Sequence, residues 1–186
     1  ALNIRLKKKK KNMIRDFHSK RKKIRRPSDN FGLEILLNYE LLPNHKSFKL
    51  PVTFAYTFTN TEFLNSFGSS DDLWGEVTEG DELPYIPTHQ FNVGLSLEHT
   101  KYELNINGRF NGEFRTMAGT GSIPNAERVD SNFIIDMSAK YHFTKNLSLT
   151  GNIINLLDET YAVSRVPAGL RPGHPFGGNL GFEFRF

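Results

Sequence analysis

The chain contains no cysteine, which excludes both a disulfide framework and a thiolate metal site. No apolar run approaches the roughly 18 residues that a membrane helix requires, so a helical membrane protein is excluded as well. Tryptophan occurs once and AVILMFWYC residues make up only 38% of the 186 positions. Phenylalanine, by contrast, occurs 16 times, and most of these residues fall on alternate positions, the spacing of a strand rather than a helix. The net charge of +4 conceals an asymmetry. Residues 1–26 hold 13 of the 24 Lys and Arg and one of the 20 acids, a local balance of +12, and the other residues sum to −8.

Residues 1–30 form a basic segment containing Lys7-Lys8-Lys9-Lys10-Lys11 and Lys20-Arg21-Lys22-Lys23. It holds no continuous apolar core of the kind a secretory signal needs, so no export address is expected there. Its composition suits a solvated disordered tail, or a stretch foreign to residues 31–186. A basic arm for nucleic acid would act through charge alone and is the weaker reading.

From Phe31 onward the chain runs through seven alternating stretches. Phe31 to Leu41, Phe48 to Phe58, Phe91 to Leu97, Tyr102 to Phe110, Phe133 to Phe143, Leu147 to Ile153 and Leu180 to Phe186 each place apolar groups on every second residue. The interleaved positions are polar and include Glu34, Lys49, Glu103, Arg109, Asp136 and Lys140. A packed core could not hold such charges unpaired, whereas a watery lumen can. Pro51 lacks a ladder donor and predicts a bulge or weakened pairing in the second run. Connections after runs one, three and five are short, and those after two, four and six reach about 17 to 25 residues, the alternation expected of transmembrane barrels. Several apolar faces begin or end in an aromatic residue (Tyr39, Phe58, Phe110, Tyr141, Phe143), as an interfacial girdle would. The predicted fold is all-β: an antiparallel transmembrane β-barrel, present as a partial barrel of about seven strands, which the resemblance described next implies is the C-terminal part.

The run Asn155-Leu156-Leu157-Asp158-Glu159-Thr160-Tyr161, the loop Arg165-Val166-Pro167-Ala168-Gly169-Leu170-Arg171-Pro172-Gly173, and the alternating strand ending in Phe186 together resemble the C-terminal end of TonB-dependent outer-membrane receptors. Within that family the likeness is greatest to ferric-citrate-type iron transporters. It extends through Gly32-Leu33-Glu34, Trp74-Gly75-Glu76, Gly80-Asp81-Glu82-Leu83-Pro84-Tyr85 and Pro87-Thr88-His89-Gln90, covering residues 31–186.

The resemblance implies an outer-membrane location and a role in uptake of ferric chelates, siderophore or citrate. It implies contact with outer-membrane lipid and with the barrel-assembly machinery, and engagement of TonB by the full-length parent only. It implies no enzyme activity, no cofactor and no nucleic-acid partner. Chelates are bulky anions, so the expected ligand contacts are Trp74, Arg115, Arg128, Arg165 and Arg171 in the long loops. The competing expectation is that Arg165 and Arg171 pair with wall or plug carboxylates and hold their loop. Leu180, Phe182, Phe184 and Phe186 resemble the signal read during barrel insertion; plain lipid-facing packing would also account for them. Lacking a plug and most of the wall, the chain is expected to be inactive alone.

Other motifs carry less. The six His have no i, i+4 pair and no convergent Glu, which points away from a metal site. Gly119-Thr120-Gly121 has the wrong spacing for a phosphate loop. The acids Asp71, Asp72 and Glu79 to Glu82 could bind calcium, although solvated loop charge is the simpler expectation. The rival to the membrane reading is a soluble lipid-binding β-barrel, which would bury the apolar rows inside.

Overall fold

The computed structural model describes residues 2–3, 12–14, 26–70, 74–166 and 168–186. Seven long strands form its frame: β1 (Arg26–Glu40), β2 (Pro51–Phe63), β3 (His89–His99), β4 (Tyr102–Asn111), β5 (Asn132–His142), β6 (Leu147–Ile154) and β7 (Gly177–Phe184). Each pairs antiparallel with the next in chain order, giving an open meander in which β1 and β7 do not meet. The connections at one end are short, residues 41–47, 100–101 and 143–146; those at the other are 64–88, 112–131 and 155–176.

The alternation read from the sequence maps onto two faces. On the outer face, Phe91 stacks on Phe110 at 4.8 Å and lies 6.2 Å from Phe54 and 6.0 Å from Phe133. Phe91, Phe110 and Phe133 sit toward the long-loop end, and Tyr39, Tyr141 and Phe143 sit at the short-turn end, so the apolar face is bordered by aromatic side chains on both sides, as an interfacial girdle is. The ring of Phe133 lies over Gly108, where an added Cβ would stand 2.7 Å from Phe133 Cζ. Glycine there lets the ring lie flat against the neighbouring backbone.

The outer rows are exposed: Leu180 at 81%, Phe182 at 67% and Phe184 at 62%. Among the described residues, the buried apolar side chains are Phe63, Val77, Leu83, Val129 and Ile134, which lie in the long loops or on the inner face. A soluble barrel would show the reverse, with its apolar rows inside. The inner face carries Glu103, Asn105, Asn107, Arg109 and Asn111 on β4 and Asp136, Ser138, Lys140 and His142 on β5. Lys140 Nζ donates to Glu183 Oε2 at 2.6 Å, spanning β6, and His142 lies 2.7 Å from Ser148 Oγ and 3.3 Å from Glu103 Oε1. Polar groups thus satisfy one another laterally along the wall. Ile134, which falls in the polar row of β5, is fully buried and is the apolar exception there.

Three details depart from the sequence reading. First, β1 starts at Arg26 and β2 runs to Phe63, both beyond the visible alternation, because Ser28 and Thr61 continue the ladder with polar side chains that are buried. Second, of the two outcomes expected at Pro51 the weakened pairing is the one found: the strand breaks at Leu50 and no bulge forms. Phe48 faces His99 and Val52 faces Leu95, one register on either side of the break. The Glu40 carboxylate compensates by accepting the N–H groups of Leu42 and Leu50 at 3.0 and 2.7 Å. Third, the outer edge of β1 is not bare: Leu2–Asn3 pairs with Leu36 and Leu37, and Asn12–Ile14 pairs with residues 26–28. The remainder of the basic segment lies outside the described residues.

Candidate functional site

The three long loops form a layer of their own at one end of the sheet. Each folds back on itself as a short ladder: Phe67–Gly68 with Glu76–Val77, Phe114–Arg115 with Arg128–Val129, and Ala162–Ser164 with Arg171–Pro172. Backbone pairing of this kind satisfies polar groups that a long irregular loop would leave open. Within the first loop Phe63, Val77 and Leu83 make a small core, against which Phe67, Trp74, Ile86 and, from the second loop, Ala118 pack. Trp74 meets Phe63 edge-on at 5.4 Å.

Side chains then tie one loop to the next. Arg115, 3% exposed, donates Nε–H to Glu82 Oε2 at 2.8 Å and Nη2–H to Gly121 O at 3.0 Å. An added Cβ at Gly119 would lie 2.7 Å from Arg115 Nη1, so glycine makes room for the guanidinium. The Glu82 and Tyr85 N–H groups donate to Gly119 O and Arg115 O at 2.9 and 2.8 Å. The Tyr85 hydroxyl donates to Val166 O and accepts from Val166 N–H at 3.1 Å, joining first loop to third. Arg165 Nε–H donates to Arg128 O, joining third to second. Tyr85 adopts φ +62°, a conformation that costs a bulky residue about 1 kcal/mol or more, and its contacts with both neighbouring loops hold it there.

The base of the third loop is held by Asn155, fully buried at φ +52°. Its Nδ2 donates to Glu159 O and His174 O at 2.9 and 3.0 Å, its Oδ1 accepts Glu159 N–H at 2.9 Å, and its own N–H donates to Asp136 Oδ1 at 2.9 Å. Asp158 Oδ1 accepts Phe176 N–H at 2.9 Å. Together the two side chains close the loop where it leaves and re-enters the sheet.

A family model for the TonB dependent receptor-like beta-barrel matches residues 25–156. The chain belongs to the family of TonB-dependent receptors. By structure it is similar to the ferric-catecholate import receptor Fiu from E. coli K12, with a TM-score of 0.66 at 19% identity over 94% of this chain and 23% of that one. The siderophore receptor PiuA from Acinetobacter baumannii gives 0.65 at 19% over 86% and 22%, and the ferric citrate transporter FecA gives 0.63 at 19% over 85% and 24%. The chain therefore spans about a quarter of the length of these solved receptors. No curated protein sequence matches it.

In this TonB-dependent receptor chain the structure brings three of the five loop residues singled out from the sequence together, Arg115 and Arg128 as cross-strand partners with Arg165 bonded to Arg128, and places Trp74 and Arg171 elsewhere in the layer. Trp74 packs in the loop core, Arg115 is sealed against Glu82, Arg128 donates to Asp130 Oδ1 at 2.7 Å, and Arg165 links two loops. Arg171 is exposed in the third-loop ladder, and its side chain has no ion-pair or hydrogen-bond partner among the described residues. Leu180, Phe182, Phe184 and Phe186 lie exposed along the end of the chain. No group of His, Cys, Asp and Glu able to hold a metal occurs among the described residues; Asp71 and Asp72 lie outside them. Glu82, Tyr85 and Asn155, which organise the layer, were visible only as members of family motifs.

Glu82→Gln tests the inter-loop pair. The substitution leaves the buried Arg115 cation without its counter-charge, but Glu82 is half exposed and solvent screens part of the loss, so the expected cost is about 1–3 kcal/mol. Faster proteolysis within residues 64–88 and 112–131 should accompany it. An unaltered cleavage rate in both loops would show that the pair does not hold them.

Proposed function

We propose that the chain forms the C-terminal part of the wall, with three outer loops, of an outer-membrane receptor that takes up ferric chelates with energy from TonB. The observation that carries this reading is the family match over a sheet with its apolar rows on the outside and a knit layer of long loops at one end only. In a bilayer the exposed rows face lipid, the polar face borders water, and the loop layer meets an incoming chelate. The ligand classes named for the similar receptors, ferric catecholate, siderophore and ferric citrate, support a ferric chelate as the cargo. The protein acts by binding and passage, without a catalytic step. Leu180, Phe182, Phe184 and Phe186 serve as the stretch read by the barrel-assembly machinery and then as lipid-facing packing.

Iron uptake tests the reading. A cell whose sole chelate receptor ends in this chain should accumulate labelled iron from ferric citrate or a ferric catecholate only when TonB is present. The 186-residue chain expressed alone should give none. Uptake indifferent to TonB, or absent for every chelate class, would remove the proposal.

A further inference from the structure

The two ends of the sheet carry opposite charge. The three long loops hold 11 acids and four arginines, a balance of −7, whereas the three short turns hold three lysines and no acid. Each turn has one lysine: Lys46 in 41–47, Lys101 in 100–101 and Lys145 in 143–146. All three are exposed, and their side chains make no hydrogen bond or ion pair among the described residues. Carboxylates in the adjoining strands are engaged elsewhere. Glu40 accepts the Leu42 and Leu50 N–H groups, Glu103 lies 3.3 Å from His142 Nε2, and Glu183 meets both Lys140 and Arg185. Glu98 stands across from Lys49 on the inner face, so these two charges offset one another.

Each lysine adjoins rings at the border of the apolar face. The Phe48 ring lies 5.0 Å from that of His45 and 4.9 Å from that of His99, which in turn lies 4.6 Å from Tyr102. These four rings flank Lys46 and Lys101 along the chain. Tyr141 meets Phe143 edge-on at 5.1 Å, two residues before Lys145. An open cleft of about 490 Å³ lies between the first two turns, with His45, Lys46, Phe48 and His99 along it and Glu98 and Glu103 at its inner-face side. A band of rings edged by cations suits a bilayer surface: the rings settle among the headgroups, and lysine stems run beside them until the ammonium reaches the phosphates. An anionic headgroup adds net charge to that contact, a gain of about fivefold per lysine.

We propose that Lys46, Lys101 and Lys145, with the rings beside them, form a rim on the short-turn side of the wall that binds the headgroups of anionic phospholipids in preference to zwitterionic ones. This rests on the membrane-wall reading above. The acidic loops repel the same headgroups, so the preference belongs to the leaflet that meets the short turns. Arginine at the three positions would retain the charge, and glutamine would lose it.

The test uses the whole receptor that carries this chain, reconstituted in phosphatidylcholine vesicles, with spin-labelled phosphatidylglycerol as the anionic probe and spin-labelled phosphatidylcholine as the other. The fraction of each label immobilised by the protein reads the preference. The parent should favour phosphatidylglycerol, and added salt should erode that preference. Combining Lys46→Gln, Lys101→Gln and Lys145→Gln should lower it by up to about fivefold for each lysine, while the three Lys→Arg substitutions together should keep it. Both variants should melt at the parent's temperature in phosphatidylcholine alone. Equal preference in the parent and the glutamine variant overturns the inference, as does a parent that takes up both labels alike. Loss of preference in the arginine variant as well, with a lower melting temperature, also overturns it, since that outcome marks a folding role for the turns. A parent that stays in the aqueous fraction on flotation with these vesicles overturns the membrane-wall reading, and this inference falls with it.

Discussion

Ile106→Lys is expected to destabilise the folded wall by about 2–4 kcal/mol, the cost of a cation at the lipid-facing midplane of a barrel, while Asn107→Lys should change stability by less than about 0.5 kcal/mol. The two residues are adjacent in the middle of β4 and differ in the face they occupy. Ile106 stands across from Leu95 and Met137, in the row that also holds Leu104 and Phe110. Asn107 stands across from Gly94 and Asp136 on the wet face, where a lysine gains a carboxylate neighbour. Urea unfolding of receptor reconstituted in lipid vesicles reads both. Comparable losses at the two positions would mean that the faces are assigned wrongly, and with them the bilayer. The same pair separates a membrane wall from a soluble barrel, in which a lysine at position 106 would enter a packed core and one at position 107 would enter water.

The second large effect is at Asn155. Asn155→Ala removes a fully buried side chain that makes three hydrogen bonds, leaves Glu159 O, His174 O and Glu159 N–H unpartnered, and places alanine at φ +52°. Each stranded buried group costs about 1–3 kcal/mol and the backbone conformation about 1 kcal/mol more for alanine than for asparagine; partial hydration brings the expected total to about 3–5 kcal/mol. The loss should be local. Hydrogen exchange in residues 155–176 should accelerate strongly while the amides of β4 and β5 keep their protection. Uniform acceleration across the sheet, or none in the loop, would contradict the role given to Asn155. Asn155→Asp is an informative companion, because it keeps Oδ1 as an acceptor and loses the two donations from Nδ2.

The features legible in the sequence were those that period two dictates. Leu180, Phe182, Phe184 and Phe186, or Tyr102, Leu104, Ile106 and Phe110, declare a strand and its faces without reference to any other part of the chain. The short turns were equally visible, since each interrupts an alternation over a few residues. The ends of β1 and β2 were not, because Ser28 and Thr61 are polar and their burial is visible only once the chain is folded. The loop layer was the least legible. The arginines were read as ligand contacts from their charge and place in long loops, yet the Arg115–Glu82 bond joins residues 33 apart and Tyr85 reaches Val166 across 81. Pairings of that span arise from the packed layer and leave no periodic trace. Nor does a sequence disclose that Tyr85 adopts a left-handed backbone; the motif around it was recognisable, but its physical reason was not.

The count of seven strands carries an arithmetic consequence of its own. Counted over the seven long strands alone, leaving aside the Leu2–Asn3 and Asn12–Ile14 pieces that pair with β1, the first and last members of this meander travel in the same direction. A ring built from repeats of this sheet, all threaded the same way round, would set like-directed neighbours at every seam, where hydrogen bonds slant and hold less well than in the rest of the structure. Closure with opposed neighbours throughout demands a complement whose own tally is odd, which brings the sum to the even number bacterial barrels display. Self-repetition is thus a poor route to a sealed cylinder, and parity alone selects a non-identical remainder.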